Sequence, residues 1–220
     1  MANKPRRRSP SKNSSIKDPT TAYARRVCKK GKGREPAGPH VRDACARHLR
    51  DRKEQRKRGL KWDLPAATRA IEFFAEVLFV DRTAADVGDG MKPFVLLPWQ
   101  EFVIGSLFGW KGSDGYRRFR IAFIESAKGT GKSPLAAGIG LYMLTADKED
   151  RAEVYAAATK KDQAKVLFRD AVAMVQRSSA LGERLFMSGG AVEKNNIAYM
   201  PRGSFFRPIS TEDRGKGQSG

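Results

Sequence analysis

Apolar residues recur at helical spacing in the first third of the chain. Residues 21–57 follow this pattern and end in the charged run 50–58, after which Gly59 interrupts it. A second amphipathic helix is predicted after Pro65. Its apolar face carries Ala67, Ala70, Ile71, Phe74, Val77 and Leu78. Residues 86–92 contain two glycines and predict a loop.

Helices and strands are predicted to alternate beyond that loop. The predicted helices are residues 99–110, Lys132–Thr145 and Lys161–Arg177. The predicted strands are 118–125 and 152–158, followed by a hairpin made of 197–200 and 205–209. The order strand, helix, strand, helix is typical of a parallel sheet with right-handed crossovers. The predicted fold class is therefore α/β.

Positive charge is concentrated at the start of the chain. Residues 1–61 hold 21 Lys and Arg against 5 Asp and Glu, which is +16 of the net +19. Residues 1–20 contain almost nothing to bury and predict a disordered basic tail. We divide the rest into a helical N-terminal region, 21–88, and an α/β domain, 89–220. The basic arm indicates an anionic partner, most commonly nucleic acid, and the alternative is a solvated tail without a particular partner.

Two cysteines and two histidines near each other require a zinc site to be considered. The spacing of Cys28, His40, Cys45 and His48 matches no common finger pattern, which has a close pair of ligands at each end. Cys45 and His48 also share a helical stripe with apolar neighbours, which favours a core or partner-facing helix. No apolar stretch reaches the roughly 18 residues that a membrane span requires, so no membrane segment is predicted.

One short segment predicts chemistry, and it reads Ser126-Ala127-Lys128-Gly129-Thr130-Gly131-Lys132-Ser133. It lies between a predicted strand and a predicted helix, as a phosphate-binding loop (P-loop) requires. Its two glycines allow the backbone to curl so that several N–H groups point at one phosphate. The helix that follows adds the positive end of its dipole. The standard pattern begins with glycine, and Ser126 stands at that position here.

Three side chains have predicted roles at this nucleotide site. Lys132 would reach the β- and γ-phosphates of ATP, and the Ser133 hydroxyl would complete the coordination of Mg²⁺. Gln100 lies upstream, in Leu97-Pro98-Trp99-Gln100, and its amide can donate to and accept from an adenine edge. The alternative for Gln100 is an exposed polar residue at the start of a helix.

Four stretches of the chain, at 38–49, 97–110, 126–133 and 155–164, together resemble the large subunit of tailed-phage terminases. The last two stretches, in their order, are the specific part of the resemblance, which runs from about Thr21 to Gly220. Loops of that family commonly lack the first glycine and carry a basic residue near their start. Ser126 and Lys128 fit that description.

The resemblance implies an α/β P-loop NTPase fold of the ASCE type and an ATP-driven motor that moves double-stranded DNA into a procapsid. It implies ATP and Mg²⁺ as cofactors, adenine contact by Gln100, and catalytic roles for Lys132 and Lys128, with Lys128 sensing the γ-phosphate. The implied partners are double-stranded DNA, a portal protein, a small terminase subunit and further copies in a ring, in the cytoplasm of a bacterial host.

Members of that family carry an Asp-Glu strand and a nuclease domain further along the chain. Neither is found in these 220 residues, and we expect the chain to be cut before them, so ATP hydrolysis by this chain alone is an open question. Two alternatives also stay open: another P-loop DNA helicase or translocase, and a basic nucleic-acid-binding protein with an incidental Gly-Lys-Ser. Arg25, Arg26 and the run 50–58 are expected to contact DNA or the small subunit.

Overall fold

The computed structural model describes residues 17–81, 90–190 and 193–210. Its helices are α1 (Pro19–Cys28), α2 (Pro39–Glu54), α3 (Leu64–Val77), α4 (Pro98–Gly109), α5 (Lys132–Thr145), α6 (Lys161–Arg177) and α7 (Ser179–Gly182). Its strands are β1 (Lys61–Trp62), β2 (Phe79–Asp81), β3 (Met91–Pro93), β4 (Trp110–Lys111), β5 (Glu153–Ala158), β6 (Phe186–Gly189), β7 (Lys194–Tyr199) and β8 (Ser204–Ser210). Most of the predicted tail, 1–16, and of the predicted loop, 86–89, lies outside the described residues.

The N-terminal region forms two helices where the sequence pattern predicts one helical stretch. Asp18 caps α1, and its carboxylate accepts a hydrogen bond from a first-turn N–H at 2.9 Å. Thr20 is buried, so the last residues of the predicted tail belong to the fold. Gly31 and Gly33 have positive φ angles between α1 and α2, a conformation that glycine adopts with little strain. The predicted break at Gly59 is confirmed by its φ of 60°.

A single hydrophobic core joins α3, α4, α5 and α6 to the largest sheet. The predicted apolar face of α3 is confirmed, because Ala67, Ala70, Phe74 and Leu78 are all buried. The predicted helices at α4, α5 and α6 are likewise present. Burial of this one apolar face supplies most of the stability of a helix as short as α3, since isolated helices of that length are marginal in water.

Helix α5 lies unusually close to its neighbours at two glycines. A Cβ on Gly138 would lie 2.3 Å from the ring of Phe74 in α3. A Cβ on Gly140 would lie 2.6 Å from the ring of Phe206 in β8. Both distances are shorter than real Cβ contacts, so any larger residue would push α5 away from α3 or from the sheet.

The largest sheet is mixed, whereas the sequence pattern predicts a parallel one. Its strand order is β5-β8-β7-β6, with β5 parallel to β8 and the remaining pairs antiparallel. The predicted strand β5 and the predicted hairpin of β7 and β8 are confirmed, and β6 extends the sheet beyond them. Helices α5 and α6 pack side by side on one face of β5 and β8. The α/β class is therefore confirmed, with one parallel pair among the described strands of this sheet.

The predicted strand at 118–125 is wrong. Residues 121–127 have no regular secondary structure, and Ile121 and Phe123 are 89% and 88% exposed. A strand forms when a neighbouring strand pairs with its N–H and C=O groups, and no described strand lies along this segment. Only the preceding Arg117 forms a bridge, with Lys111. Two small antiparallel pairs, β1 with β4 and β2 with β3, are present without having been predicted.

Candidate nucleotide-binding site

The backbone bends sharply at two glycines immediately before α5. Gly129 has a φ of 83°, and Gly131 has a φ of 81° and caps the N-terminus of α5. These left-handed conformations are costly for residues that carry a Cβ. The α-helical hydrogen bonds begin at once, since the Leu135 N–H donates to the Gly131 carbonyl at 3.1 Å. The bend and the unpaired N–H groups of the first turn therefore lie side by side, as anion binding requires.

Lys132 lies folded against this bend. Its ammonium donates to the carbonyl oxygen of Ser126 and, at 2.8 Å, to that of Ala127. The Thr130 hydroxyl also donates to the Ala127 carbonyl at 2.8 Å, so it accepts from the Ser126 hydroxyl, which lies 2.6 Å away. All these hydrogen bonds join residues of the loop, and the loop folds around the Lys132 ammonium.

The other predicted side chains occupy different sides of the loop. Ser133 is the second residue of α5 and is half-buried, whereas Lys128 is exposed in the turn before Gly129. No cluster of three His, Cys, Asp or Glu side chains able to hold a metal ion occurs in the described part of the chain. A metal ion at the Ser133 hydroxyl would therefore take most of its ligands from phosphate and water, which is the coordination that Mg²⁺ prefers.

Gln100 is brought next to the loop although 31 residues separate it from Gly131. A Cβ on Gly131 would lie 3.6 Å from the Gln100 Nε2. The side chain is only 3% exposed, and its Oε1 accepts a hydrogen bond from the Leu97 N–H at 2.8 Å. Gln100 is thus a buried capping residue of α4 whose amide nitrogen faces the bend, so the alternative of an exposed polar residue at the helix start is wrong.

An apolar groove of about 690 Å³ opens beside the start of the loop. Trp99 and Phe102 of α4 form one wall, Tyr23 of α1 and the start of α2 form another, and Ser126 lies at its rim. The contribution of α1 and α2 to this groove was not predicted from the sequence. The sequence feature that could have indicated this contribution is the apolar stripe of α1, which contains Tyr23 and Val27.

Residues 98–215, more than half of the chain, match the family described as the terminase large subunit, ATPase domain. The chain belongs to this terminase family. The match begins at the start of α4, two residues before Gln100, and contains the whole phosphate loop. No curated protein matches the terminase chain in sequence.

The fold of this terminase chain is shared with a solved structure, the crystal structure of the HK97 bacteriophage large terminase. The two superpose with a TM-score of 0.54 at 22% sequence identity. The match covers 70% of this chain and 29% of the HK97 chain, so this chain spans less than a third of that protein's length. At this identity the likeness concerns the fold alone.

A second polar network of the terminase chain joins α1 and α2 to β1 and β4. His48 accepts from the Trp110 indole N–H at 3.0 Å through Nδ1, which places its own proton on Nε2. Nε2 donates to the Thr21 hydroxyl at 2.9 Å, and that hydroxyl donates to Asp18 at 2.7 Å. The Trp62 indole N–H also donates to Asp18, at 3.1 Å.

These bonds use both ring nitrogens of His48, so the imidazole has no lone pair available for zinc. Burial lowers the pKa of His48 to about 4 and raises the pKa of the Cys45 thiol to about 12. Both groups are therefore neutral at pH 7, as expected for residues of a helical core. Across residues 17–81, 90–190 and 193–210, every helix is too short or too polar to span a lipid bilayer.

Proposed function

We propose that this chain is the ATP-binding part of a phage DNA-packaging motor, which couples ATP hydrolysis to movement of double-stranded DNA into a procapsid. The observation that carries the proposal is the bend at Gly129 and Gly131, which leads directly into a helix inside the residues that match the terminase ATPase family. An incidental Gly-Lys-Ser would have no reason to combine two left-handed glycines, a helix N-terminus and an inward-folded lysine.

In this proposal the residues of the loop divide the work of binding ATP. The N–H groups from Lys128 to Ser133 and the Lys132 ammonium would bind the phosphate oxygens, replacing the carbonyl contacts that Lys132 now makes. Ser133 would provide the hydroxyl ligand for Mg²⁺, whose chemical contribution is to neutralise charge on the phosphates. Lys128, exposed at the turn, would contact the γ-phosphate. Ser126 and Thr130 would hold the loop closed through their hydroxyl bond.

Gln100 would read adenine through its amide nitrogen. The position of Nε2 beside Gly131 supports this role, whereas Oε1 is already bonded to the Leu97 N–H. Gln100 would therefore act as a donor to a ring nitrogen of the base. Trp99, in the adjoining groove, would supply the apolar wall that a nucleobase needs.

The test is the affinity of the chain for Mg-ATP, measured by titration. Replacing Lys132 with alanine removes the ammonium that would contact the phosphates, and we expect affinity to fall by about 100-fold or more, since such charge-assisted bonds contribute about 1.5–3 kcal/mol each. The free energy of unfolding should change by less than about 0.5 kcal/mol, because the Lys132 side chain bonds only to carbonyl groups of the solvent-facing loop.

Lys148→Ala is the matched control, because Lys148 is an exposed lysine just beyond the other end of α5. It should bind Mg-ATP like the unaltered chain. Equal affinity for Mg-ATP in the Lys132→Ala chain and in this control would refute the proposed site.

The partners of the motor are proposed more broadly. A portal protein, a small terminase subunit and further copies in a ring would assemble with this chain in the cytoplasm of the bacterial host. In the N-terminal region, Arg26 pairs with Glu35, and Arg52 and Arg58 pair with buried or half-buried carboxylates. A partner or DNA would therefore meet chiefly the exposed basic residues, which include Arg25, Arg50, Lys53, Arg56 and Lys57.

A further inference from the structure

A second groove, of about 620 Å³, opens between the first turns of α6 and the strands β6, β7 and β8. It lies apart from the phosphate loop, and none of the residues assigned to ATP lines it. One wall carries Lys161 and Lys165 of α6, and the other carries Ser188, Asn196 and Arg207. Among the described residues that line it, none is aromatic.

Basic side chains follow one line along α6. Lys161, Lys165 and Arg169 are four residues apart, which puts successive Cα atoms about 6 Å apart and the whole stripe at about 12 Å. The Glu193 carboxylate faces them, and its Oε2 lies 2.6 Å from the Lys165 ammonium. Asp170, the residue after Arg169, places a second carboxylate near the Arg169 charge. The hydrogen bond from Lys165, together with the charges of Arg169 and Lys161, lowers the pKa of Glu193. These two carboxylates offset part of the positive charge of Lys161, Lys165 and Arg169.

The opposite wall holds a fourth positive charge in a fixed orientation. Arg207 donates from Nε to the Asn196 side-chain oxygen at 2.9 Å, and Asn196 donates to the Ser188 hydroxyl at 3.2 Å. The Arg207 guanidinium also lies over the Phe205 ring, 4.2 Å from its centroid. The hydrogen-bonded residues Arg207, Asn196 and Ser188 lie across β8, β7 and β6, so the sheet fixes the position of the Arg207 charge.

The groove and the phosphate loop lie at the same edge of the sheet. Helix α5 begins at the loop and runs about 20 Å to the connection that enters β5, which returns about 20 Å to the start of α6. The beginning of α6 is therefore level with the beginning of α5, and the two helices pack side by side. A force applied to the basic stripe of α6 would therefore be transmitted to α5, the helix that carries Lys132.

We propose that this groove, lined by Lys161, Lys165 and Arg207 and continued along α6 by Arg169, binds the phosphate backbone of duplex DNA. The inference rests on the proposed DNA-moving function and assigns to it a contact surface. Charge complementarity supports a polyanion, and lysine, arginine, asparagine and serine are the side chains that commonly contact phosphates. Without an aromatic side chain to stack on bases, the described lining favours a duplex over a single strand.

The experiment measures binding of the full chain to a duplex of mixed sequence over a range of salt concentrations. The test chain carries Lys161→Gln, Lys165→Gln and Arg169→Gln, which keep the helix propensity of α6 nearly unchanged. A charge-matched control carries Lys148→Gln, Arg151→Gln and Arg184→Gln, all exposed and at the opposite edge of the sheet. A second test chain, Lys161→Arg with Lys165→Arg, retains the charge.

Loss of three phosphate contacts should reduce the slope of log affinity against log salt by about 2.7, since each contact contributes about 0.9. The control and the charge-retaining chain should keep the slope of the unaltered protein, and all four chains should bind Mg-ATP equally. A further chain carries Arg50→Gln, Lys53→Gln and Lys57→Gln. Its slope in the same titration measures how much the N-terminal region contributes to DNA binding.

An unchanged slope in the α6 triple, or an equal fall in the opposite-edge control, would overturn the assignment of the groove while the unaltered chain still binds DNA. Tighter binding of a single strand that depends on the stripe would overturn the assignment to duplex DNA. If the unaltered chain binds Mg-ATP but no duplex at low salt, the proposed motor function itself fails.

Discussion

The phosphate loop and the network around His48 are both built from polar side chains, but they differ in the sequence separation and in the burial of the residues that their hydrogen bonds join. In the loop the bonds of Lys132, Thr130 and Ser126 join residues at most six positions apart, and every residue of the segment is exposed or half-buried. In the network, His48 joins residues that are 27 and 62 positions away, and it is 3% exposed.

This difference separates binding from stability. A bond that faces solvent can be exchanged for one to a ligand at little cost, because water or phosphate replaces the lost partner. A buried bond has no such replacement, so losing one member leaves an unsatisfied group in the core. Changes in the loop should therefore alter nucleotide affinity, and changes in the network should alter the free energy of unfolding.

The largest expected effect is the pH dependence of stability conferred by His48. Its pKa is about 4 in the folded chain and about 6.5 when unfolded, so the unfolded chain binds the extra proton between these values. Stability is fully present above pH 6.5 and falls as pH drops to 4, by about 3 kcal/mol. Denaturant unfolding at several pH values measures this loss.

His48→Gln keeps an acceptor for Trp110 and a donor for Thr21 but does not titrate, so its unfolding free energy should fall less over the same range. His40→Gln is the matched control, since His40 is exposed and is the other histidine of the chain. It should follow the unaltered profile. If His48→Gln and His40→Gln gave identical pH profiles, the buried network would not be the source of the dependence.

A smaller effect is expected from Thr21→Val, which removes the hydroxyl between His48 and Asp18. The buried His48 and the half-buried Asp18 then each lose a partner, and the free energy of unfolding should fall by about 2 kcal/mol with Mg-ATP affinity unchanged. Thr145→Val is the control, because the Thr145 hydroxyl donates to a carbonyl of its own helix, that of Leu141. Thermal unfolding should place this control well above Thr21→Val. The reverse order would contradict the proposed role of the network.

A smaller effect on stability than that of Thr21→Val is expected from Gly131→Ala. An alanine at a φ of 81° is strained by about 1 kcal/mol, while its Cβ would make only ordinary contact with the Gln100 Nε2 at 3.6 Å. We expect Mg-ATP affinity to fall severalfold, because the strain opens the bend. Gly182→Ala, in α7, should change neither property. Unaltered affinity in Gly131→Ala would show that the loop does not need this conformation.

The sequence predicts the loop and the helices better than the sheet. Gly129, Gly131 and the helix start at Lys132 are local features, so eight consecutive residues are enough to predict them. The apolar face of α3 is likewise visible in the spacing of apolar residues. The segment 118–125 has the composition of a strand, but a strand also needs a partner, and composition does not supply one.

Contacts between distant residues are the part that the sequence does not reveal. The predicted helical stripe of Cys45 and His48 is present, but nothing local pairs His48 with Trp110. The double role of Gln100, as cap of α4 and neighbour of Gly131, likewise depends on how α4 and α5 pack. The basic stripe of α6 was visible in principle, as basic residues at four-residue intervals, but the spacing alone does not show that β6, β7 and β8 lie opposite it.

The two glycines of α5 bear on how force passes through the molecule. With Phe74 against Gly138 and Phe206 against Gly140, α5 has no clearance to slide or rotate without displacing an aromatic ring on each side. Helix α5, the sheet and α3 are therefore packed without room to slide past one another. If the proposed nucleotide site drives a movement, we expect it at the connections around these elements, and the irregular stretch at 121–127 leads directly into the loop.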